Sequence, residues 1–464
     1  MFRNDTITAL STPPGRGGIG IVRLSGSLAL EIASVIFHTE SRVALDAPGR
    51  VQFGRVVDPA TNESIDEALL TYFKAPHSYT GEDVVELSCH GSPVILRRVL
   101  AMLISGGARI AEPGEFTFRA FLNRRIDLAQ AQAVRDYINA QTEYQARVAT
   151  RQLEGALSKR LAPVKEALVE IIVHLESSLE FVEDDISPAA ASALRERLEH
   201  ISESLKEIAA SFAFGRFVKE GFDLAIVGRP NVGKSSVFNR LVGHDRAIVT
   251  DLPGTTRDAL YESTSIGGVP VRLIDTAGIR ETSDVVESLG IKRSRTAIAD
   301  ADITLLVLDA SQPLTPDDIN LLDSMDESRR IIAINKTDLP NRLDEALVAA
   351  TGVSPAVWQS DAVSLSALTG SGFDELTARL LARLSGDAAV ERDDIMITDA
   401  RQHTAVMQAI AHLNEARDLM IQRELEEIIL LKLHSALQSL GEITGETLTD
   451  DILGQIFSTF CIGK

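Results

Sequence analysis

The run Gly228-Arg229-Pro230-Asn231-Val232-Gly233-Lys234-Ser235 sharply restricts the folds open to this chain. It reads G-x-x-x-x-G-K-S, follows the apolar stretch Leu224-Ala225-Ile226-Val227, and leads into the helix-like Ser236-Val237-Phe238-Asn239-Arg240-Leu241. Strand, glycine-rich turn and helix in that order form a phosphate cradle. The glycines let backbone N–H groups turn inward, and the helix N-terminus adds the positive end of its dipole. Lys234 is expected to reach the β- and γ-phosphates, and Ser235 to ligate Mg²⁺. A glycine-rich turn without a ligand is the plainer alternative; the flanking strand and helix argue against it.

The surrounding sequence alternates. Phe222 to Val227, Ile303 to Asp309, Ile331 to Asn335 and Ala362 to Leu365 are short apolar runs separated by helical stretches. That pattern predicts a mostly parallel sheet covered on both faces. Tyr261 to Ile266 and Val269 to Ile274, joined by Gly267-Gly268, read as a hairpin. On either side the hydrophobic period is helical. Leu153, Leu157, Leu161, Val164, Leu168, Ile171, Leu175 and Leu179 form one stripe, in which Pro163 predicts a kink or a break. Ser187-Pro188 reads as an N-cap and first helical residue, followed by Leu194, Leu198, Ile201, Leu205, Ile208 and Phe212 on one face. A last stripe holds Val406, Ile410, Leu413 and Met420, then Leu425, Ile429, Leu433, Leu437 and Leu440. Asp317 to Arg330 is charged and reads as the solvated face of a helix and its turns.

The first 120 or so residues differ again. Thr6 to Ala9, Ile19 to Leu24 and Val84 to Leu87 read as strands, and Pro93 to Ser105 as a helix opened by proline. The expected fold is therefore multidomain. It has an α+β N-terminal domain over 1–120 and an all-α helical domain built from 121–215 and 384–464. An α/β P-loop domain over 216–383 is inserted between the two helical parts.

A net charge of -20 disfavours non-specific nucleic-acid binding, which phosphate neutralisation drives, so any nucleic-acid role needs a local basic patch or a basic partner. Cys89 and Cys461 are the only cysteines and lie far apart, which fits a reducing cytosol. The polar start Met1-Phe2-Arg3-Asn4-Asp5 does not resemble a secretion signal, and no apolar stretch reaches the roughly 18 residues of a membrane helix. Gly15-Arg16-Gly17-Gly18-Ile19-Gly20 fits G-x-G-x-x-G but precedes a strand instead of opening a helix, which argues against a dinucleotide site. Cys89-His90 lacks a second pair of metal ligands.

Further motifs follow the phosphate loop in order. Asn335-Lys336-Thr337-Asp338 ends a strand, where the Asp338 carboxylate can accept from the N1–H and exocyclic amine of guanine; adenine offers an acceptor there instead. Ser366-Ala367-Leu368 ends the next strand and can meet the guanine oxygen through a backbone N–H. Asp275-Thr276-Ala277-Gly278 ends another: Asp275 is expected to hold the Mg²⁺ shell through water and the Gly278 N–H to sense the γ-phosphate. Gly254-Thr255-Thr256-Arg257-Asp258 supplies Thr256 as a second Mg²⁺ ligand. Together they describe a Ras-like G domain that binds and hydrolyses GTP. Ile279 stands where many GTPases carry a water-orienting glutamine, so another group must orient the water; Glu281 and Glu287 are the carboxylates at hand. Arg257 and Arg280 are candidates for a cation at the transition state, with surface solvation the commoner role for each.

With these motifs in place the chain resembles, over its whole length, the bacterial tRNA-modification GTPase family MnmE, also called TrmE. The resemblance rests on Thr12-Pro13-Pro14-Gly15-Arg16-Gly17-Gly18, Tyr79-Thr80-Gly81-Glu82-Asp83, Pro113-Gly114-Glu115-Phe116-Thr117 and Arg119-Ala120-Phe121-Leu122-Asn123. The Gly254 to Asp258 loop and the ending Phe460-Cys461-Ile462-Gly463-Lys464 complete it. It implies an N-terminal domain that dimerises and binds a one-carbon tetrahydrofolate, 5-formyl- or methylene-tetrahydrofolate, with Arg23, Glu86, Arg125 and Lys464 at the matching positions. The family often has lysine in place of Arg125, and the two differ in geometry. It also implies G domains that dimerise with K⁺ standing in for an arginine finger. The K⁺ ligands would be Asn231 with backbone oxygens of Thr250, Leu252 and Thr255, and Glu287 would orient the water. Cys461 matches a family cysteine of chemical role; a buried apolar thiol near the chain end is the alternative.

The full nucleotide-binding set expected is Asn231, Val232, Gly233, Lys234, Ser235 and Ser236, then Thr250, Asp251, Leu252, Pro253, Gly254, Thr255 and Thr256. Asp275, Thr276, Ala277, Gly278, Asn335, Lys336, Thr337, Asp338, Ser366 and Ala367 complete it, with Glu287, Lys234 and Asn231 acting in catalysis. The resemblance further implies a homodimer and a heterotetramer with the FAD-containing flavoprotein MnmG (GidA). That complex would modify C5 of the wobble uridine of tRNA to an aminomethyl or carboxymethylaminomethyl form, with the partner gripping most of the tRNA and no membrane involved. The rivals are a ribosome-assembly or regulatory switch GTPase, weakened by the lack of a G-x-x-G RNA-binding helix pair or basic tail, and a scaffold whose hydrolysis only reports partner binding.

Overall fold

The structure is a computed structural model and describes residues 5–40, 44–180, 188–244, 261–275, 301–343, 361–385 and 395–463. The chain forms two compact units, one of residues 1–135 with 441–464, the other of residues 136–440.

The first unit opens with β1 (Ile7–Leu10), β2 (Gly17–Ser25), α1 (Ala29–Ile36), β3 (Phe37–His38), β4 (Val51–Val57), β5 (Ser64–Phe73) and β6 (Val84–Gly91). It continues with α2 (Pro93–Ser105), β7 (Arg109–Ile110), α3 (Glu115–Leu122) and α4 (Leu128–Asn139). Among the described residues these strands form a seven-stranded sheet in the order β3-β4-β5-β6-β2-β1-β7. All neighbours are antiparallel except β1 with β7. The alternation of Val22 and Leu24 in β2 with Val85 and Leu87 in β6 puts one face against Ile32 and Ile36 of α1 and Val99 and Leu103 of α2. In the register of β2 on β6, Arg23 stands directly opposite Glu86.

The second unit begins with α5 (Glu143–Leu153), α6 (Ala156–Glu180), α7 (Pro188–Ala210) and α8 (Phe212–Glu220). Then come β8 (Phe222–Val227), α9 (Lys234–His244), β9 (Tyr261–Ile266), β10 (Val269–Asp275), β11 (Ile303–Asp309), α10 (Pro316–Asp323), β12 (Arg330–Asn335), β13 (Ala362–Ser364) and α11 (Phe373–Ser385). Helices α12 (Ala400–Gln422) and α13 (Glu426–Thr444) follow, and α14 (Asp450–Ser458) belongs to the first unit. Among the described residues the second sheet has six strands in the order β13-β12-β11-β8-β10-β9, parallel throughout except for β9. Every residue of β11 is buried. Leu305 and Val307 enter one core with Leu376 and Leu380, while Leu306 and Leu308 enter another with Leu322 and Met325. Burial on both faces is why these strands read as unbroken apolar runs and not as alternations. The hairpin turn is set by Gly267 and Gly268, both left-handed at φ 57° and 86°, with Ile266 opposite Val269.

Three expectations are corrected. Of the kink or break expected at Pro163, the break does not occur: α6 runs from Ala156 to Glu180 through it. Leu157 and Leu161 before it and Leu168, Ile171 and Leu175 after it are all buried. At about 1.5–3 kcal/mol per buried side chain, that continuous stripe outweighs the roughly 3 kcal/mol cost of an interior proline. Leu425 is 66% exposed because it precedes α13 and is not part of its stripe. Within the charged run, Asp318 and Arg330 are buried, each consumed by a partner: Asp318 pairs with Arg229 and Arg330 with Asp361. Among the described residues no helix is long and apolar enough to cross a membrane.

Candidate functional site

In the second unit the described motif residues gather at the C-terminal ends of the parallel strands, where open α/β sheets present their ligands. Residues 228 to 233 link β8 to α9. Gly228 (φ 149°) and Gly233 (φ 100°) adopt backbone conformations that a side chain resists, and a Cβ on Gly233 would collide with the Asn335 amide. Asn231 also takes a left-handed conformation, at φ 63°.

The loop is held by its carbonyls. Asn335 Nδ2 donates to Val232 O at 3.0 Å, and Asn335 Oδ1 accepts from the Ala367 N–H at 2.9 Å. One buried amide thus joins the phosphate loop to the segment after β13. Lys336 Nζ donates to Asn231 O at 2.8 Å and to Asp309 Oδ2 at 2.6 Å. Burial would raise the Asp309 carboxyl, but the Lys336 ammonium and the Ser311 donors hold it below the ordinary carboxylate range. Ser366 Oγ donates to Asp338 Oδ1 at 2.5 Å, which orients that carboxylate. Lys234 Nζ lies over the loop, donating to Gly228 O at 2.9 Å and Arg229 O at 2.7 Å. Holding the carbonyls in this way lets the loop turn N–H groups toward an anion at the start of α9.

Asn231, Ser235 and Ser236 are exposed, Lys234 and Gly233 are half-buried, and Val232 is buried. Asp275 ends β10 beside Ile226 of β8. Thr337 and Asp338 follow β12 and are exposed; Ser366 is buried after β13. Thr250, Asp251, Leu252, Pro253, Gly254, Thr255 and Thr256 lie outside the described residues, as do Arg257, Thr276, Ala277, Gly278, Ile279, Arg280, Glu281 and Glu287. Reading the sequence missed Asp309 and Asp318 as groups that support the loop. Asp309 carried a visible signal, a lone carboxylate closing a strand that is apolar but for Thr304.

The first unit carries the other candidate residues. Arg23 donates from Nε to Glu86 Oε1 at 2.9 Å, with Nη2 at 2.8 Å from the same oxygen. Its guanidinium lies 5.5 Å from the centre of the Tyr79 ring and 5.6 Å from that of Phe116. The Tyr79 hydroxyl shares a 2.8 Å hydrogen bond with Thr117 Oγ1, and burial pushes that phenol's pKa up. Two residues on, Gly81 packs beside the exposed Arg125.

The chain end lies against β1 and the start of α3. Gly114 N donates to Cys461 O at 3.2 Å, and Ser11 Oγ donates to Gly463 O at 3.1 Å. Phe460 is buried in the cluster of Leu128, Leu453 and Phe457. The tail between these anchors leaves Cys461 exposed, so its alternative reading as a buried thiol is corrected. Lys464 lies outside the described residues. Cys89 is buried, its thiol pushed up to about 12 by burial and then Asp66, while His90 Nδ1 lies 2.6 Å from Asp66 Oδ1. Gly17 to Gly20 belong to β2, not to a helix.

Two family descriptions match the chain: "GTP-binding protein TrmE N-terminus" over residues 6–125 and "MnmE helical domain" over 128–461. The chain is 48% identical over 465 residues to the tRNA modification GTPase MnmE of Koribacter versatilis, with 100% of both chains covered. It is 43% identical over 461 residues to the protein of the same name from Aquifex aeolicus, covering 99% of this chain and 100% of that one. Against its counterpart from Alkaliphilus metalliredigens the identity is 40% over 466 residues, with 100% of both covered.

Proposed function

This chain belongs to the MnmE family of tRNA modification GTPases, and from that premise we propose how its residues divide the work. The domains divide as 1–120, a helical domain of 121–215 and 384–464, and an inserted G domain of 216–383. In the G domain, Lys234 and the N–H groups of Val232 to Ser236 hold the phosphates of GTP. Asp338, oriented by Ser366, reads guanine, and Ala367 meets its oxygen. The observation that carries this reading is the Asn335 amide, which ties the phosphate loop and the base segment into one frame through Val232 O and the Ala367 N–H.

The donors suit the ions. Ser235 offers an exposed hydroxyl at the start of α9, an oxygen ligand of the kind Mg²⁺ takes, with Thr256 as the second and Asp275 acting through water. Bound there, Mg²⁺ neutralises charge on the phosphate oxygens. Asn231 is exposed and held by its carbonyl, which suits it to serve K⁺ with the backbone oxygens of Thr250, Leu252 and Thr255. Bound there, K⁺ would supply the positive charge that other GTPases take from arginine, and two G domains would pair in its presence. Glu287 orients the attacking water in place of the glutamine that Ile279 excludes.

In the N-terminal domain Arg23, Glu86, Arg125 and Lys464 bind a one-carbon tetrahydrofolate. Glu86 offers an acceptor for ring N–H donors, and the cations suit the ligand's carboxylates. The folate supplies the one-carbon unit for C5 of the wobble uridine. The N-terminal domains form a homodimer that joins the FAD-containing MnmG in a heterotetramer. With a net charge of -20 on this chain, the partner provides most of the grip on tRNA.

Asp338→Asn tests the nucleotide frame. An amide donates where the carboxylate accepted, so hydrolysis of GTP should fall roughly 1,000-fold in kcat/KM while xanthosine triphosphate becomes a substrate. Unchanged preference for GTP would remove Asp338 from the base site.

A further inference from the structure

Between the two glycines of the phosphate loop, Arg229, Pro230 and Asn231 lie pinned from both ends. Arg229 Nε donates to Asp318 Oδ1 at 2.8 Å, across 89 residues of chain. The Asp318 side chain is only 2% exposed. Its other oxygen accepts from Thr315 N at 3.0 Å and Thr315 Oγ1 at 2.9 Å, so the cap of α10 fixes the carboxylate's orientation. At the other end, Lys336 holds Asn231 O and is itself held by Asp309. Pro230, between the anchors, has a locked φ and transmits the direction imposed on either side. Both acids come from one stretch: Asp309 closes β11, and Asp318 lies in the first turn of α10.

We infer that Asp318 and Arg229 are positioning residues for hydrolysis: with Asp309 and Lys336 they clamp Arg229-Pro230-Asn231 so that the Asn231 side chain is presented to the activating cation. This rests on the reading of Asn231 as a K⁺ ligand. The clamp acts through Asn231, whereas the base is read by Asp338, Ser366 and Ala367. Its loss therefore alters the hydrolytic step more than nucleotide binding. The guanidinium is not interchangeable with an amine here, because the contact is made by Nε in the plane of the fork.

The test uses the full-length chain. GTP hydrolysis is titrated with KCl at constant ionic strength, alongside GDP affinity and melting temperature, for the wild type, Asp318→Asn and Arg229→Lys. The expected result for each variant is a K⁺ half-saturation raised roughly five-fold and kcat lowered about ten-fold, with GDP affinity within about two-fold of wild type. Arg229→Lys retains the charge and serves if Asp318→Asn does not fold. A wild type that responds to K⁺, beside folded variants with unchanged half-saturation, overturns the inference alone. GDP affinity falling in step with kcat also overturns it, as the mark of a merely structural pair. A wild-type rate indifferent to K⁺ overturns the reading of Asn231, and the inference with it.

Discussion

The antiparallel sheet of the first unit and the parallel sheet of the second present their candidate residues by different means. In the second unit the strands end in loops, and what faces the ligand is largely main chain. Side chains such as Asn335 and Lys336 work from behind, holding the carbonyls of Val232 and Asn231. In the first unit the candidate pair lies within the sheet itself, Arg23 opposite Glu86 in register, and what it presents is side chain. The chain end belongs to the same unit, with Gly463 held by Ser11. A site made of main chain depends on glycine conformation and on remote anchors. A site made of side chains depends on its own charges.

Substitutions can break this contrast. Of the substitutions that bear on this contrast, Gly233→Ala has the largest expected effect. It forces a side chain onto a backbone at φ 100° and into the Asn335 amide, and strain of about 3 kcal/mol corresponds to a roughly 100-fold loss of GDP affinity. Affinity within two-fold of wild type in a calorimetric titration would mean that the loop is not main-chain controlled. Glu86→Gln comes next. It keeps the shape but removes the charge opposite Arg23, so tetrahydrofolate affinity should fall about ten-fold while GTP hydrolysis stays unchanged. An equal fall in hydrolysis would show that the two sites do not separate.

The smallest effect concerns pH. Asp309 is held below its ordinary value of 3.8, so its contribution is fully present above that value and is lost as pH falls through its lower one. GDP affinity should therefore vary by less than about two-fold between pH 8 and pH 5 on account of this anchor. A steep decline above pH 5 that Asp309→Asn abolishes would contradict the assignment of its charge.

Local signals made the scaffold of the second unit legible. Strand β8, the loop and α9 follow from one motif, and Gly267-Gly268 specifies the hairpin through left-handed backbone alone. The anchors behind the loop were not legible. Arg229 meets Asp318 across 89 residues, and Asn335 meets Val232 across 103, and no local pattern encodes such distances. Asp318 was hidden further by its charged neighbours, since composition describes Asp317 and Asp318 alike while only Asp318 turns inward. Pro163 shows the converse, a local break signal overridden by packing on both sides of it, from Leu157 to Leu175. In the first unit, Arg23 and Glu86 came from resemblance. What reading the strands alone could not supply was their register.

On the function proposed above, GTP hydrolysis in one unit serves tRNA chemistry that needs the other. Mass spectrometry of wobble uridines tests it most directly, in a strain lacking this protein and complemented with wild type, Lys234→Ala or Arg23→Ala. Wild type should restore the C5-modified nucleoside, and both variants should leave it absent or reduced about ten-fold or more, although each alters a different unit. Full modification with either variant, or an unmodified profile that wild type does not repair, would contradict it.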